Sequence, residues 1–179
     1  MPFDQNTLDS IGSSLKAGHF NLLLGAGVSR DSKTSNGPLP SGDAFRQDLC
    51  RLKGARDNSP LQRVYATLTP AEIQEHVVKR FRNCQPGPSV TKLTQFIWRK
   101  IFTFNIDDAL ERAYEAPGRV QAPKPFHFND DYCEERHLSE VPIIHPHGWV
   151  GRSDQGFVFS RDEYVRQIKS INPWMVLLT

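Results

Sequence analysis

Two hydrophobic periods alternate along this chain. Leu8, Ile11 and Leu15 fall three and four positions apart, so the stretch from about Thr7 to Lys16 reads as a helix with one apolar face, closed at Gly18. Phe20 to Leu24 is instead a short, largely apolar run stopped by Gly25. Its brevity between glycines favours a buried strand, although leucine is not a strong strand former. Arg30 to Pro40 is polar and punctuated by Gly37-Pro38, which marks an exposed loop, and Ser41 then caps a helix to about Lys53. Further helices are expected near Leu61 to Leu68, from the capping box Thr69-Pro70-Ala71-Glu72 until Asn83, Pro86, Gly87 and Pro88 end it, and over Ser89 to Trp98. The last leads into Ile101 to Phe104, a second buried strand. Asp107 or Asp108 opens a helix to about Glu115, Pro117 to Pro125 is a loop, and Phe126 to Phe128 is a short strand. Val141 to Ile144 is a third clear strand. Phe157 to Phe159 is a further short one, and Ser160-Arg161-Asp162-Glu163 is a second capping box opening a helix through about Lys169.

Helices interspersed with short apolar strands predict an α/β, Rossmann-like architecture: a largely parallel sheet with helices on both faces. The strand ending at Leu24 is expected at its centre, sharing one carboxyl edge with the strands ending at Phe104 and Ile144. A length of 179 residues suits one domain, and 38% apolar with 23% charged residues excludes a disordered chain or a coiled coil. The net charge of +2 gives no ground for a polyanion partner, and Arg46, Arg51 and Lys53 are interleaved with Asp43 and Asp48, as on a solvated helix face. Nucleic acid is therefore not an expected partner. No apolar run approaches the ~20 residues of a membrane span. Cys50, Cys84 and Cys133 are too few and too scattered for a disulfide framework, and the start Met1-Pro2-Phe3-Asp4-Gln5 lacks the features of a secretory signal, so a cytoplasmic location is expected.

Each of the three clearest strands stops at a polar cluster. Gly25-Ala26-Gly27-Val28-Ser29 leaves room for a backbone to approach a pyrophosphate, with Ser29 adding a hydroxyl, or it is only a tight turn needing small residues. Arg30 stands where GxGxxG needs a glycine, and no P-loop lysine follows. Asn105 offers a donor and an acceptor directly after an apolar strand, and Asp107 is a helix cap or the partner of an amide or hydroxyl. In His145-Pro146-His147-Gly148 the two histidines would share one side of an extended chain, and Gly148 would let a ligand lie close to the backbone. With Cys133 and His137 they form an alternative metal set, although not at a zinc-finger spacing.

Taken in order, Gly25-Ala26-Gly27-Val28-Ser29, Thr103-Phe104-Asn105-Ile106-Asp107 and Ile143-Ile144-His145-Pro146-His147-Gly148 resemble the motifs of the sirtuin family. The stretch from Phe157 to Tyr164 is similar to one in the bacterial branch of sirtuin-like proteins associated with phage defence. The resemblance implies NAD+ as substrate, with Gly25, Ala26, Gly27, Ser29 and Asp107 binding it, Asn105 orienting ribose or water, and His147 acting as general base. It implies hydrolysis of NAD+ to nicotinamide and ADP-ribose, with no metal. Alternatives are an NAD-dependent protein deacylase, against which the absence of the family's CxxC pairs counts, and an NAD- or ADP-ribose-binding sensor without turnover. His145, nearer the buried strand, is expected to pack behind His147. Nothing corresponds to the family's later Gly-Tyr-Ser-like turn. Residues 1–179 are therefore expected to form a sirtuin-like NAD-binding domain that is incomplete at its C-terminus and lacks the last strand or strands, with a homo-oligomer or further domains as partners.

Overall fold

A computed structural model describes residues 3–131, 138–160, 162, 163, 165 and 166. The first helix, α1 (Gln5–Lys16), is capped by the Asp4 carboxylate, which accepts from the Thr7 amide at 2.8 Å. Strand β1 (Asn21–Leu24) follows, and the expected polar loop contains a two-residue hairpin, β2 (Lys33–Thr34) with β3 (Gly37–Pro38). Ser41 caps α2 (Gly42–Lys53), and Gly54 closes it at φ 59°, where a residue without Cβ is at ease. α3 (Leu61–Tyr65) ends at Tyr65 rather than Leu68. The Thr69 capping box forms as expected and opens α4 (Pro70–Glu72), which passes through a π-helical stretch (Ile73–Val78) into α5 (Lys79–Phe81).

α6 (Pro88–Leu93) stops short of Trp98, because the Trp98 indole turns back and donates to the Leu93 carbonyl at 2.8 Å, satisfying one of the helix's last acceptors. β4 (Lys100–Thr103), α7 (Ala109–Tyr114), β5 (Ala122–His127) and β6 (Glu140–His145) follow, with a 3₁₀ segment at Val150–Gln155. β5 runs through the expected loop, with Pro123 and Pro125 inside it. Proline is tolerated there because β5 pairs on one side only, with β6, and its other edge carries no ladder among the described residues. Phe157 to Phe159 is not a strand. Its backbone is irregular, with Phe157 and Val158 buried and the Val158 amide donating to the His147 carbonyl at 3.0 Å. The second capping box does form at Ser160 and Glu163, and the helix expected through Lys169 is described only at residues 162, 163, 165 and 166.

The architecture is α/β and Rossmann-like: four strands, all parallel, in the order β1-β4-β6-β5, with helices packed on the sheet. Among the described residues β1 is an edge strand, which corrects the expectation that it is central. Leu23 is 60% exposed, whereas every residue of β4 is buried. An apolar run reports burial by either face or by neighbours along the chain, so Phe20 to Leu24 could not distinguish edge from centre.

Alternation along the strands divides the core. Ile101, Val141 and Ile143 join the main cluster with Phe45, Leu49, Val64, Phe81, Val90 and Leu110 from the helices. Phe102 and Ile144 form a smaller cluster with Phe126. Asp108, at the mouth of α7, does not cap its own helix. Its carboxylate accepts from the Asn83 and Cys84 amides at 2.8 Å each, tying the end of α5 to the start of α7. Asn83 itself has φ 59°, so this anchor holds a conformation that costs a non-glycine residue free energy. Asp108→Ala strips both amides of their acceptor, and the buried Cys84 amide left unsatisfied costs roughly 1–3 kcal/mol, whereas water reaches the exposed Asn83. Chemical denaturation is expected to show a loss of at least about 1 kcal/mol, and a loss under about 0.5 kcal/mol would show that water replaces the carboxylate at no cost.

Candidate active site

Parallel pairing of β1 with β4, in the register Leu24↔Thr103, brings the first two polar clusters together. The Phe104 amide continues the ladder to the Leu24 carbonyl at 3.1 Å, and beyond it the chains diverge into Gly25–Ser29 and Asn105–Asp107. Across the gap runs a chain of hydrogen bonds. Asn105 Nδ2 donates to Ser29 Oγ at 2.9 Å, Ser29 Oγ donates to Asp107 Oδ1 at 3.1 Å, and the Ala109 amide also donates to Asp107 Oδ1 at 3.1 Å. Asp107 therefore fulfils both expectations at once, bonding the first turn of α7 and a hydroxyl across the cleft.

The direction of this chain follows from chemistry. An ionised carboxylate only accepts, so Ser29 gives its hydrogen to Asp107 and must accept from the amide end of Asn105. The carbonyl end, Oδ1, then points away from Ser29. It is buried and has no hydrogen-bond partner among the described residues.

A cavity of about 370 Å³ opens on this chain. Ala26, Gly27, Ser29, Arg30, Ser41, Asn105 and Asp107 form its polar side, and Leu39, Phe45, Leu61, Phe81, Phe104 and Phe159 its apolar side. Gly25 adjoins but does not line it. A Cβ added at Gly25 or Gly27 would meet nothing within 4 Å, and neither has a positive φ, so the fold alone does not demand glycine at either position.

The third cluster docks onto the second through the Val150 amide, which donates to the Ile106 carbonyl at 2.8 Å. His145 and His147 do not share a side. β6 ends at His145 and the chain turns at once, with the Gly148 amide donating to the His145 carbonyl at 3.0 Å. The His145 ring is fully buried, stacked on Trp149 at 5.1 Å, with Nε2 2.7 Å from Glu111 Oε1 and Nδ1 3.3 Å from the Asn105 carbonyl. Both ring nitrogens are thus engaged within the protein. Among the described residues no three His, Cys, Asp or Glu side chains gather at a metal-sized site, and Cys133 and His137 of the alternative metal set lie outside those residues.

His147 is half-buried, its ring 4.9 Å from that of Phe104. Burial lowers its pKa below the usual imidazole value, against a hydrogen bond to the Phe104 backbone that raises it, so the ring is neutral at neutral pH. His147 does not itself line the cavity; Phe104, which it touches, does. Gly148 has no room for a ligand at its Cα. At φ 76°, an added Cβ would lie 2.5 Å from the Gly156 carbonyl and 3.1 Å from His127 Nε2, so glycine is required by the protein's own packing.

Sequence reasoning missed Glu111, His127 and the aromatic wall. Glu111 carried a signal, since it lies four positions after Asp107 and so shares its helix face. The wall carried none, because Phe45, Phe81 and Phe159 come from three separate segments and read as ordinary core.

Burial raises the Asp107 carboxyl to about 6. Nearby Glu111 acts in the same sense, and the Ala109 amide, the Ser29 hydroxyl and His145 act against it. The folded chain therefore holds this proton up to about pH 6, while the unfolded chain releases it near the ordinary carboxyl value of 3.8, so stability falls as pH rises across that window and then levels. Asp107→Asn removes the dependence. Its stability relative to the parent is expected to climb between about pH 4 and 6, by at most about 3 kcal/mol, in denaturant titrations at a series of pH values. A difference that does not vary with pH would show that Asp107 titrates normally.

Residues 99–178 match the family model of a SIR2-like domain. The match contains Asn105, Asp107, Glu111, His145 and His147 and excludes the Gly25–Ser29 turn. No curated protein matches the chain. The sirtuin-like resemblance carried by the ordered motifs is thus supported over the second and third of them, which contain Asn105, His145 and His147.

Proposed function

We propose that the chain cleaves NAD+ between nicotinamide and ribose, releasing nicotinamide and ADP-ribose. The observation that carries this reading is Asn105 Oδ1, a buried acceptor with no partner among the described residues, at the polar side of an aromatic-walled cavity. Six buried side-chain polar atoms lack a partner among the described residues, Asn105 Oδ1 being the one whose residue lines this cavity, and a ribose hydroxyl or the attacking water supplies the missing donor. A volume of about 370 Å³ accommodates a planar ring with its ribose against the phenylalanines. The open space at Gly25 and Gly27 then receives the pyrophosphate, beside the exposed Arg30.

In the proposed reaction the C1′–N bond breaks with its electron pair passing to the nicotinamide nitrogen, which neutralises the pyridinium. The oxygen of water bonds to C1′ and its proton goes to His147. An imidazole kept neutral by burial is suited to that role, provided its ring reaches past Phe104 when substrate binds. Asp107, one hydroxyl away from Asn105, places negative charge near the developing oxocarbenium centre. Ser29 joins the two, and no step calls on a metal. The resemblance of Phe157 to Tyr164 to a stretch of phage-defence proteins supports reading the chain as a cytoplasmic effector that depletes NAD+.

His147→Ala and Asn105→Ala are each expected to lower NAD+ cleavage by ~10²–10⁴-fold in a folded protein, followed as nicotinamide release. Near-parental turnover in either variant would remove that residue from the mechanism. His147→Gln is expected to be more damaging than His145→Gln, and a chelator is expected to have no effect. The reverse order would make His145 the base, and chelator-sensitive activity would restore the metal set of Cys133, His137, His145 and His147. Faster turnover with an acylated-lysine peptide than with water would replace hydrolysis by deacylation.

A further inference from the structure

Behind the cavity lies a pair of side chains that the proposed chemistry does not use. Glu111 and His145 are 4% and 0% exposed, and neither lines the cavity. Their contacts restrict where hydrogens can be. The Asn105 carbonyl only accepts, so His145 Nδ1 carries a hydrogen and donates to it at 3.3 Å. His145 Nε2 and Glu111 Oε1, 2.7 Å apart, must then share one proton, held either on the ring as an imidazolium–carboxylate pair or on the carboxyl beside a neutral ring. In both forms Nδ1 keeps its hydrogen. Without Glu111 a neutral His145 is free to take the other tautomer, which turns a lone pair toward the Asn105 carbonyl and repels it.

The geometry points to Glu111 as a positioning residue for the cavity: by fixing the His145 tautomer it anchors the Asn105 carbonyl, and so aims the Asn105 side chain at Ser29 and its Oδ1 at the ligand. Trp149, stacked on His145, keeps the ring in plane, and the Val150 amide on the Ile106 carbonyl holds the same backbone one residue further on. Asn105 is then gripped from two sides. Ser29 and Asp107 hold its amide, and His145 with Glu111 holds its main chain. A purely structural ion pair has no need to terminate on the carbonyl of Asn105, the cavity-lining residue whose side chain carries a buried acceptor without a partner among the described residues.

The inference rests on the NAD+-cleaving reading for its kinetic consequence only, and the test separates the two. Glu111→Gln keeps a donor opposite His145 Nε2 and so enforces the Nδ1–H tautomer. Glu111→Ala does not. The double variant Glu111→Leu with His145→Met removes both polar groups, a replacement of a buried pair that proteins often tolerate without loss of stability, and stands in should Glu111→Ala fail to fold. Steady-state kinetics with NAD+ are expected to show kcat lowered at least about tenfold in Glu111→Ala and in the double variant, with KM changed less than about threefold and most of kcat kept in Glu111→Gln, since small misplacement at the reacting centre acts on the chemical step. In parallel, the Asn105 side-chain NH₂ resonance, assigned by its loss in Asn105→Asp, is expected to shift in Glu111→Ala and in the double variant and to stay in place in Glu111→Gln. An unmoved resonance and unchanged kcat in folded Glu111→Ala, or in the double variant, would overturn the inference, as would equal damage from Gln and Ala. Absence of NAD+ cleavage in the parent protein would defeat the functional reading alone, and the resonance would still decide the role of Glu111.

Discussion

The register of β1 against β4 is the constraint on which the site depends. Pairing Leu24 with Thr103 ends both strands at the same level, and one more ladder bond, from Phe104 to Leu24, delays their divergence until Asn105 stands within reach of Ser29. In a parallel sheet a shift by one residue would turn Thr103 and Asn105 to the opposite face and leave a buried amide and a buried carboxylate unpaired. The apolar residues of β4, all buried, hold the register against that slip. Ile101 belongs to one face and Phe102 to the other, and exchanging them would exchange clusters of different size and shape. Side-chain packing along the strand thus fixes a polar geometry beyond its end.

Beyond β4 three carboxylates fall within the five residues 107–111, each less than a tenth exposed, and each is held by a different part of the molecule. Asp108 looks outward to the end of α5, Asp107 across the cleft to Ser29, and Glu111 back to His145. Burying so much like charge in one short segment is costly. The cost is limited by giving Asp108 two backbone amides and Glu111 a shared proton, which leaves Asp107 as the group whose ionisation is resisted. Its raised pKa is chiefly the consequence of its own burial, to which the nearby Glu111 adds.

These roles were legible in the sequence to very different degrees. Strand-then-polar-cluster was enough to bring the first two clusters, with Gly27, Asn105 and Asp107, to one cavity, because in a parallel sheet the ends of neighbouring strands cannot avoid one another, whereas His147 of the third, expected with them, stands behind Phe104 and does not line it. Edge and centre were not legible, since a strand's apolar run does not reveal which neighbours pair with it; β1 and β5 both show this, one by an exposed Leu23 and the other by carrying Pro123 and Pro125. The buried, packing place expected for His145 is found, but not the side it was expected to share with His147. An extended chain through His145 and His147 was assumed, whereas the turn that begins at His145 sends one ring to Glu111 and the other to Phe104. Gly148 was correctly singled out and wrongly explained, its neighbours being Gly156 and His127 and not a ligand.

The two sides of the cavity differ in how far the protein has already determined them. On the polar side the bonds from Asn105 to Ser29 and from Ser29 to Asp107 each have a fixed direction, and the buried acceptor Asn105 Oδ1 is left over. On the apolar side, six hydrophobic residues drawn from the loops and from α2, α3 and α5 present a surface that any flat apolar group can occupy. A site built to pair with a hydroxyl rejects an analogue lacking it far more strongly than an apolar pocket rejects a ring of similar size, because the rejected analogue leaves a buried acceptor unpaired. On the proposed reading, discrimination therefore lies with the ribose and not with the nicotinamide. The phenylalanine wall desolvates the bond to be broken, and Asn105 decides which molecules are held there.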